Sequence, residues 1–180
     1  MSQVVFLPGK NIDLRPLTPA DATGNYAQWF NDREVVHYML NGSFPMSVKA
    51  LAEFIDHSLT SKNDLILAIS SKEGNRHIGN VGLHRIDWIR RSAEFGIVVG
   101  EKSYWGKGMA TEATRMICDY GFTRLNLHRI WLGVHADHKA AIKSYENVGF
   151  TIEGKLRHDM FTDGKYADRL IMGLLRDELK

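Results

Sequence analysis

The stretch YWGKGMATEA, Tyr104–Ala113, sets two glycines one residue apart directly before a helical pattern. Glycine weakens a helix interior, so at a helix start it marks backbone that must come close to something a side chain would block. The first amides of a helix have no intrahelical partners, and the helix dipole adds partial positive charge, so such a turn suits an anion. Gly106 and Gly108 would let the N–H groups of Gly106 to Thr111, Met109 and Ala110 included, curl around a phosphate, with Lys107 adding charge from the side. A tight turn carrying a surface lysine accounts for the same letters. A Walker loop needs four residues between its glycines and a Lys-Ser/Thr after them, a pattern this stretch lacks. A dinucleotide fingerprint needs three glycines near the first strand of a βαβ unit, whereas this turn lies past mid-chain.

Working outward, the period on the N-terminal side of the turn is that of strands. Leu65 to Ile69, Arg76 to Arg85 and Ser92 to Val99 read as three strands, with turns at Lys72–Asn75 and Trp88–Arg91, which predicts an antiparallel meander. Before them, Ser47 caps a helix in which Val48, Leu51, Ala52, Ile55 and Leu59 recur at helical spacing. Ile12 to Leu17 reads as a strand. Thr18-Pro19 then starts a helix running through Trp29, and a second short one covers Glu34 to Met39. On the C-terminal side, the helix opened by the glycine turn runs to about Leu125. Its polar side is Glu112, Arg115, Asp119 and Thr123, and its buried side is Ala110, Ala113, Ile117 and Gly121. Arg129 to Val134 is an apolar run suited to a central strand. A helix over Ala140 to Val148 ends at Gly149. Thr151 to Phe161 and Tyr166 to Leu175 form a hairpin around Asp163-Gly164. The order predicts a mixed α/β fold.

The bulk numbers bound the function. With 180 residues and 44% hydrophobic content, the chain is expected to form one domain, 1–180, around a single core. A net charge of +2, from 23 basic and 21 acidic residues, gives no general attraction to nucleic acid or to an anionic membrane. The single cysteine, Cys118, excludes an intramolecular disulfide and suits a reducing cytoplasm. MSQVVFLPGK lacks the basic segment and long apolar run of a signal peptide, and none is expected. His135 and His138 stand beside a strand end, but no nearby Cys or well-spaced acid completes a tetrahedral set, so no metal is expected.

Two motifs together carry a family resemblance. Trp105-Gly106-Lys107-Gly108-Met109-Ala110 resembles the acetyl-CoA pyrophosphate loop of the GNAT N-acetyltransferases. HKAAIKSYENVGF, His138 to Phe150, is similar to that family's Asn-x-x-Ala-x-x-x-Tyr-x-x-x-Gly-Phe segment. The resemblance extends from LRPLTPADA (Leu14 to Ala22) through AEFGIVV (Ala93 to Val99) to the final hairpin. It points to the branch of ribosomal-protein N-terminal and spermidine acetyltransferases.

The resemblance implies a central, mostly antiparallel, splayed sheet of about seven strands flanked by about four helices. It implies acetyl-CoA as cosubstrate, with Trp105 to Thr111 around the pyrophosphate. The pantetheine arm would pair with the backbone of the strand holding Phe95, Ile97 and Val99, near Ala141. His138 stands where the motif has the Asn that helps hold the pantetheine arm, so the resemblance places it in the cofactor site. Tyr145 corresponds to the acid that serves the departing thiolate, although an inward tyrosine on a helical stripe is by itself a core ring. Glu94, on the strand face opposite Phe95, is either the base acting through water or a rim glutamate paired with Arg90, Arg91 or another cation. His84 or Asp87 are further candidates for the base. The acceptor side would involve Trp29, Tyr38 and His84. Transfer is expected by direct attack of a primary amine in a ternary complex. Met39 to Ala50 contains no acid, which favours a peptide N-terminus or an amino sugar over a polyamine; spermidine, or a non-catalytic role in sensing coenzyme A, are the alternatives. Homodimers are common in this branch.

Overall fold

The computed structural model describes residues 4–39 and 42–180; residues 1–3, the start of the stretch read for a leader, lie outside it. One eight-stranded sheet runs through the molecule. Its strands are β1 (Leu7–Pro8), β2 (Ile12–Pro16), β3 (Leu65–Ser71), β4 (Arg76–Asp87), β5 (Ser92–Val99), β6 (Arg129–His135), β7 (Thr151–Thr162) and β8 (Lys165–Leu175). They lie in the order β1-β2-β3-β4-β5-β6-β8-β7, with every neighbouring pair antiparallel except β5 and β6, which are parallel. Five α-helices accompany the sheet among the described residues: α1 (Tyr26–Asn31), α2 (Arg33–Val36), α3 (Val48–Thr60), α4 (Met109–Thr123) and α5 (Lys139–Val148). The expected counts of about seven and four are each one short. The added strand, β1, is two residues long, below any period, and is held by pairing of Leu7 with Leu14. The helix expected over Glu34 to Met39 is a single turn, α2.

The two faces of the sheet carry separate cores. Leu83 and Phe95 face each other across β4 and β5 and join Ala113, Ile117, Cys118 and Phe122 of α4 and Ile142 and Val148 of α5 in the larger one. Residues one step along each strand point the other way. There Ala68 packs with Leu17, Tyr26, Trp29, Leu51 and Ile55 under α1 and α3. Local chemistry sets the helix ends. The Ser47 hydroxyl accepts from the Ala50 amide, capping α3. Gly149, at φ 119, ends α5, its N–H donating to the carbonyls of Tyr145 and Glu146. No described helix is long and apolar enough to cross a membrane.

Candidate active site

The site begins where the sheet splits. β5 and β6 pair only from Ser92 with Arg129 to Glu94 with Trp131, yet β5 continues to Val99 and β6 to His135. From Phe95 to Val99 the β5 backbone therefore has no β6 partner. A split of this kind needs something to satisfy the exposed edge, and an extended amide-bearing chain fits it. Past the split, the Trp105 indole N–H donates to the Val99 carbonyl at 2.6 Å, and the chain enters the glycine turn. Gly106 (φ 71) and Gly108 (φ 81) both sit in left-handed backbone, and a Cβ on either would meet nothing within 4 Å. The space over the first amides of α4 is open, as a phosphate cradle requires. Lys107 does not lie across that opening; its ammonium stacks over the Tyr104 ring, 5.5 Å from the centroid. Thr111, in the first turn of α4, shares a 2.7 Å hydrogen bond with Ser144 of α5, which fixes the turn relative to Tyr145.

Tyr145 and His84 approach the split from opposite faces of β5. The Tyr145 ring packs edge-on to Phe95, 5.8 Å between centroids, and against Phe150. Tyr145 is half-buried as a residue, and burial alone pushes the phenol up to about 12. Phe95 is buried, Ile97 and Ala141 pack at the margin of the same core. On the other face, a methyl group on Gly82 or Gly96 would lie 2.7 or 3.1 Å from His84 Nε2, so the imidazole lies over both glycines. His84 Nδ1 is 3.7 Å from Asp64 Oδ1. Burial lowers the imidazole pKa, the Asp64 carboxylate opposes that and the Arg85 cation adds to it. Glu94 lies directly across from His84, but its carboxylate is engaged by the Arg85 guanidinium.

The acceptor side departs from expectation at Trp29. It is 4% exposed and packs against Tyr26 and His77. Its indole N–H donates to Glu101. Trp29 is thus core and support rather than pocket wall, because the ring fills the space over Gly100. A Cβ on Gly100 would fall 1.9 Å from Trp29 Cδ2. Gly100→Ala is expected to destabilise the protein by about 1–3 kcal/mol, roughly 2–12 °C in Tm; a variant that melts with wild type would show that Trp29 repositions freely. Glu101, a residue that no local pattern marks, also accepts from Asn25 and Arg76 and joins α1 to the segment before the glycine turn. Tyr38 does face the split's far end. It stacks on His138 at 4.3 Å and 20° and lies 5.1 Å from His135. Burial lowers the His138 pKa, with His135 and His37 adding to the effect, which favours the neutral ring. Among the described residues no group of His, Cys, Asp or Glu is arranged to hold a metal.

The family model for the acetyltransferase (GNAT) domain matches residues 11–151. The chain belongs to the GNAT acetyltransferases. Among GNAT relatives, it is 31% identical to the spermidine N(1)-acetyltransferase of Escherichia coli over 168 residues, covering 93% of this chain and 88% of that one. It is 32% identical over 100 residues, 56% of this chain and 54% of the relative, to the putative ribosomal N-acetyltransferase YdaF of Bacillus subtilis. The spermidine N-acetyltransferase of Vibrio cholerae, solved with CoA and spermine, superposes with a TM-score of 0.85 at 30% identity over 93% of this chain and 97% of that one. The GNAT enzyme described here moves an acetyl group from acetyl-CoA to a primary amine. The open glycine cradle and the unpaired β5 edge suit that cosubstrate.

Proposed function

We propose that the acceptor is an amine with a single positive charge, a peptide N-terminus or an amino sugar, acetylated by direct attack without an acyl-enzyme. The observation that carries this reading is the state of the carboxylates around α1, α2 and the start of β5. Asp32 and Glu34 both hold Lys102, Glu94 holds Arg85, and Asp64 lies against His84. A polycation needs acids that are free to pair with it, and each of these already has a cation or an imidazole of its own chain beside it. The spermidine acetyltransferases among the relatives support the second reading, acetylation of a polyamine.

In the proposed arrangement the residues of Trp105 to Thr111 hold the pyrophosphate, and the backbone of Phe95, Ile97 and Val99 holds the pantetheine amides alongside Ala141. Acetyl-CoA supplies the activated acyl group. Tyr145 donates a hydrogen bond to the sulfur as it departs. Tyr38 walls the acceptor end, stacked on His138 at the pantetheine arm. The enzyme is assigned to the cytoplasm, in line with its one buried cysteine, without nucleic-acid or membrane partners. A homodimer is favoured by the exposed Ile152, Phe161 and Tyr166 of the β7–β8 hairpin.

A comparison of kcat/KM on spermidine, a free-N-terminus tetrapeptide and a nucleotide-linked amino sugar tests the acceptor. The peptide or sugar is expected to exceed spermidine by roughly tenfold or more, the loss incurred when one charge of the polyamine goes unpaired. Spermidine as the fastest of the three would reverse the assignment.

A further inference from the structure

We propose that His84 is the general base of the reaction, with Asp64 as its positioning residue, and that Glu94 does not take the amine proton. The proposal rests on the acetyltransferase reading above and deepens it.

The geometry starts with the alternation of β5. Phe95 and Gly96 are the first two residues beyond the last β5–β6 pair, and they point to opposite faces. Phe95 carries Tyr145 on one face. Gly96 carries the Nε2 edge of His84 on the other. Direct acetyl transfer needs a proton accepted where the amine enters and a donor where the sulfur leaves. Two groups on opposite faces of one short backbone segment meet both needs without competing for a position. Gly82 and Gly96 are directly paired across β4 and β5. Side chains at either would displace the ring, so both glycines have a packing reason to be there.

A β-bulge sets the charges around His84. The β4–β5 register shifts between His84 and Asp87, and Arg85 within it sits at φ 48. That turn swings the Arg85 guanidinium onto Glu94 and aims the Arg85 amide at Asp64 Oδ1, 3.1 Å away. Asp64 also accepts from the Ser61 hydroxyl at 2.7 Å. Burial works to raise the Asp64 pKa, but these donors outweigh it and the carboxyl is held below its usual range. Asp64 is therefore an anion beside Nδ1, and its charge favours a proton there, leaving Nε2 as the lone-pair nitrogen over Gly96. At 3.7 Å the contact is long for a hydrogen bond; such contacts are often loose without substrate. The charged groups facing His84 are Asp64 from the loop before β3, Arg85 from its own strand and Glu94 from β5, with His57 of α3 behind Asp64. The side chain is 34% exposed, so water reaches it.

The protons balance. The ammonium of the acceptor gives one proton to His84 Nε2, directly or through one water, and His84 passes it to solvent. The free amine forms the C–N bond as the C–S bond breaks. The second amine proton leaves to water as the amide forms, and the departing thiolate, held by the hydrogen bond from Tyr145, leaves as the thiolate or takes a proton from water.

The test uses the full chain, acetyl-CoA and whichever of the three amines above turns over fastest. His84→Gln is expected to lower kcat by about 10²-fold or more and to abolish the acidic limb of the rate profile. Glu94→Gln should lose less than about tenfold. Asp64→Asn removes the anion beside His84 and shifts the limb to lower pH; Arg85→Gln removes a cation and shifts it to higher pH. NMR titration of the His84 ring in the free protein should show the same two opposite shifts, which a purely structural histidine with no such neighbours would not. An active wild type with His84→Gln near full rate, or with Glu94→Gln the more damaging change, overturns the base assignment alone. An unmoved His84 titration in Asp64→Asn overturns the pairing. A wild type inactive on all three amines removes the acceptor reading and this proposal together.

Discussion

Tyr145→Phe is expected to lower kcat by about 10²-fold while acetyl-CoA affinity stays within about twofold of wild type. The phenol lies against Phe95 and Phe150, and burial alone raises its pKa to about 12. With a thiol near 8.5, full proton transfer from such a phenol would be uphill by about 5 kcal/mol. The hydroxyl therefore works as a hydrogen-bond donor to developing negative charge on sulfur, and it remains protonated throughout the usual assay range. Removing a donor that acts only as charge develops lowers turnover and leaves ground-state binding alone. Phenylalanine keeps the ring that packs on Phe95, so Tm should hold or rise slightly. Steady-state kinetics with a parallel calorimetric titration of acetyl-CoA separates the outcomes. Unchanged kcat with weakened binding would make Tyr145 a cofactor-holding or packing residue.

What was legible in the sequence was whatever a few adjacent residues decide. Gly149 ends α5, Ser47 caps α3, and the hairpin turns at Asp163 and Gly164, with φ of 50 and 78. Alternation alone placed Glu94 opposite Phe95. The relation of Glu94 to Arg85 was not legible, because strict alternation sends Arg85 to the other face from His84; the bulge and its positive φ reverse that. Trp29 shows the limit of helical periodicity. An aromatic on a helix stripe reads equally as core or as wall, and only Gly100, contributed by a distant segment, shows which. Asp64 and Glu101 carry no local signal, since their partners His84, Asn25 and Arg76 are far away in sequence.

The second large effect concerns the fold beneath the acceptor side. Asp21→Asn is expected to destabilise the protein by about 3–5 kcal/mol at neutral pH, roughly 6–20 °C in Tm. Arg15 and Asp21 are 3% and 9% exposed and form a two-point pair at 2.7 and 2.8 Å. The same carboxylate accepts from the Thr18 amide and hydroxyl and faces His77 Nδ1 at 3.3 Å. Arg15 also donates to Ser70. Asn accepts only at its one carbonyl oxygen and turns an NH2 donor toward the guanidinium or Thr18, and a buried guanidinium is left without its counter-charge, which is where the cost arises. The acid dependence has a defined sign. Burial works to raise the Asp21 pKa, but Arg15, His77 and Thr18 outweigh it, and the carboxyl is held far below the usual range. With the folded pKa depressed, the stabilisation is fully present above the unfolded value near 4 and is lost as pH falls below it. Wild type should therefore lose stability through that range more steeply than Asp21→Asn, by up to about 1.4 kcal/mol per pH unit. Urea unfolding at neutral pH and at pH values below 4 measures both effects. The double change Arg15→Met with Asp21→Leu, which removes both charges, should recover part of the loss. No recovery would place the cost in the hydrogen bonds to Thr18 and Ser70 instead of in the orphaned charge. A single variant within 1 kcal/mol of wild type would mean that water reaches the pair and the burial argument fails.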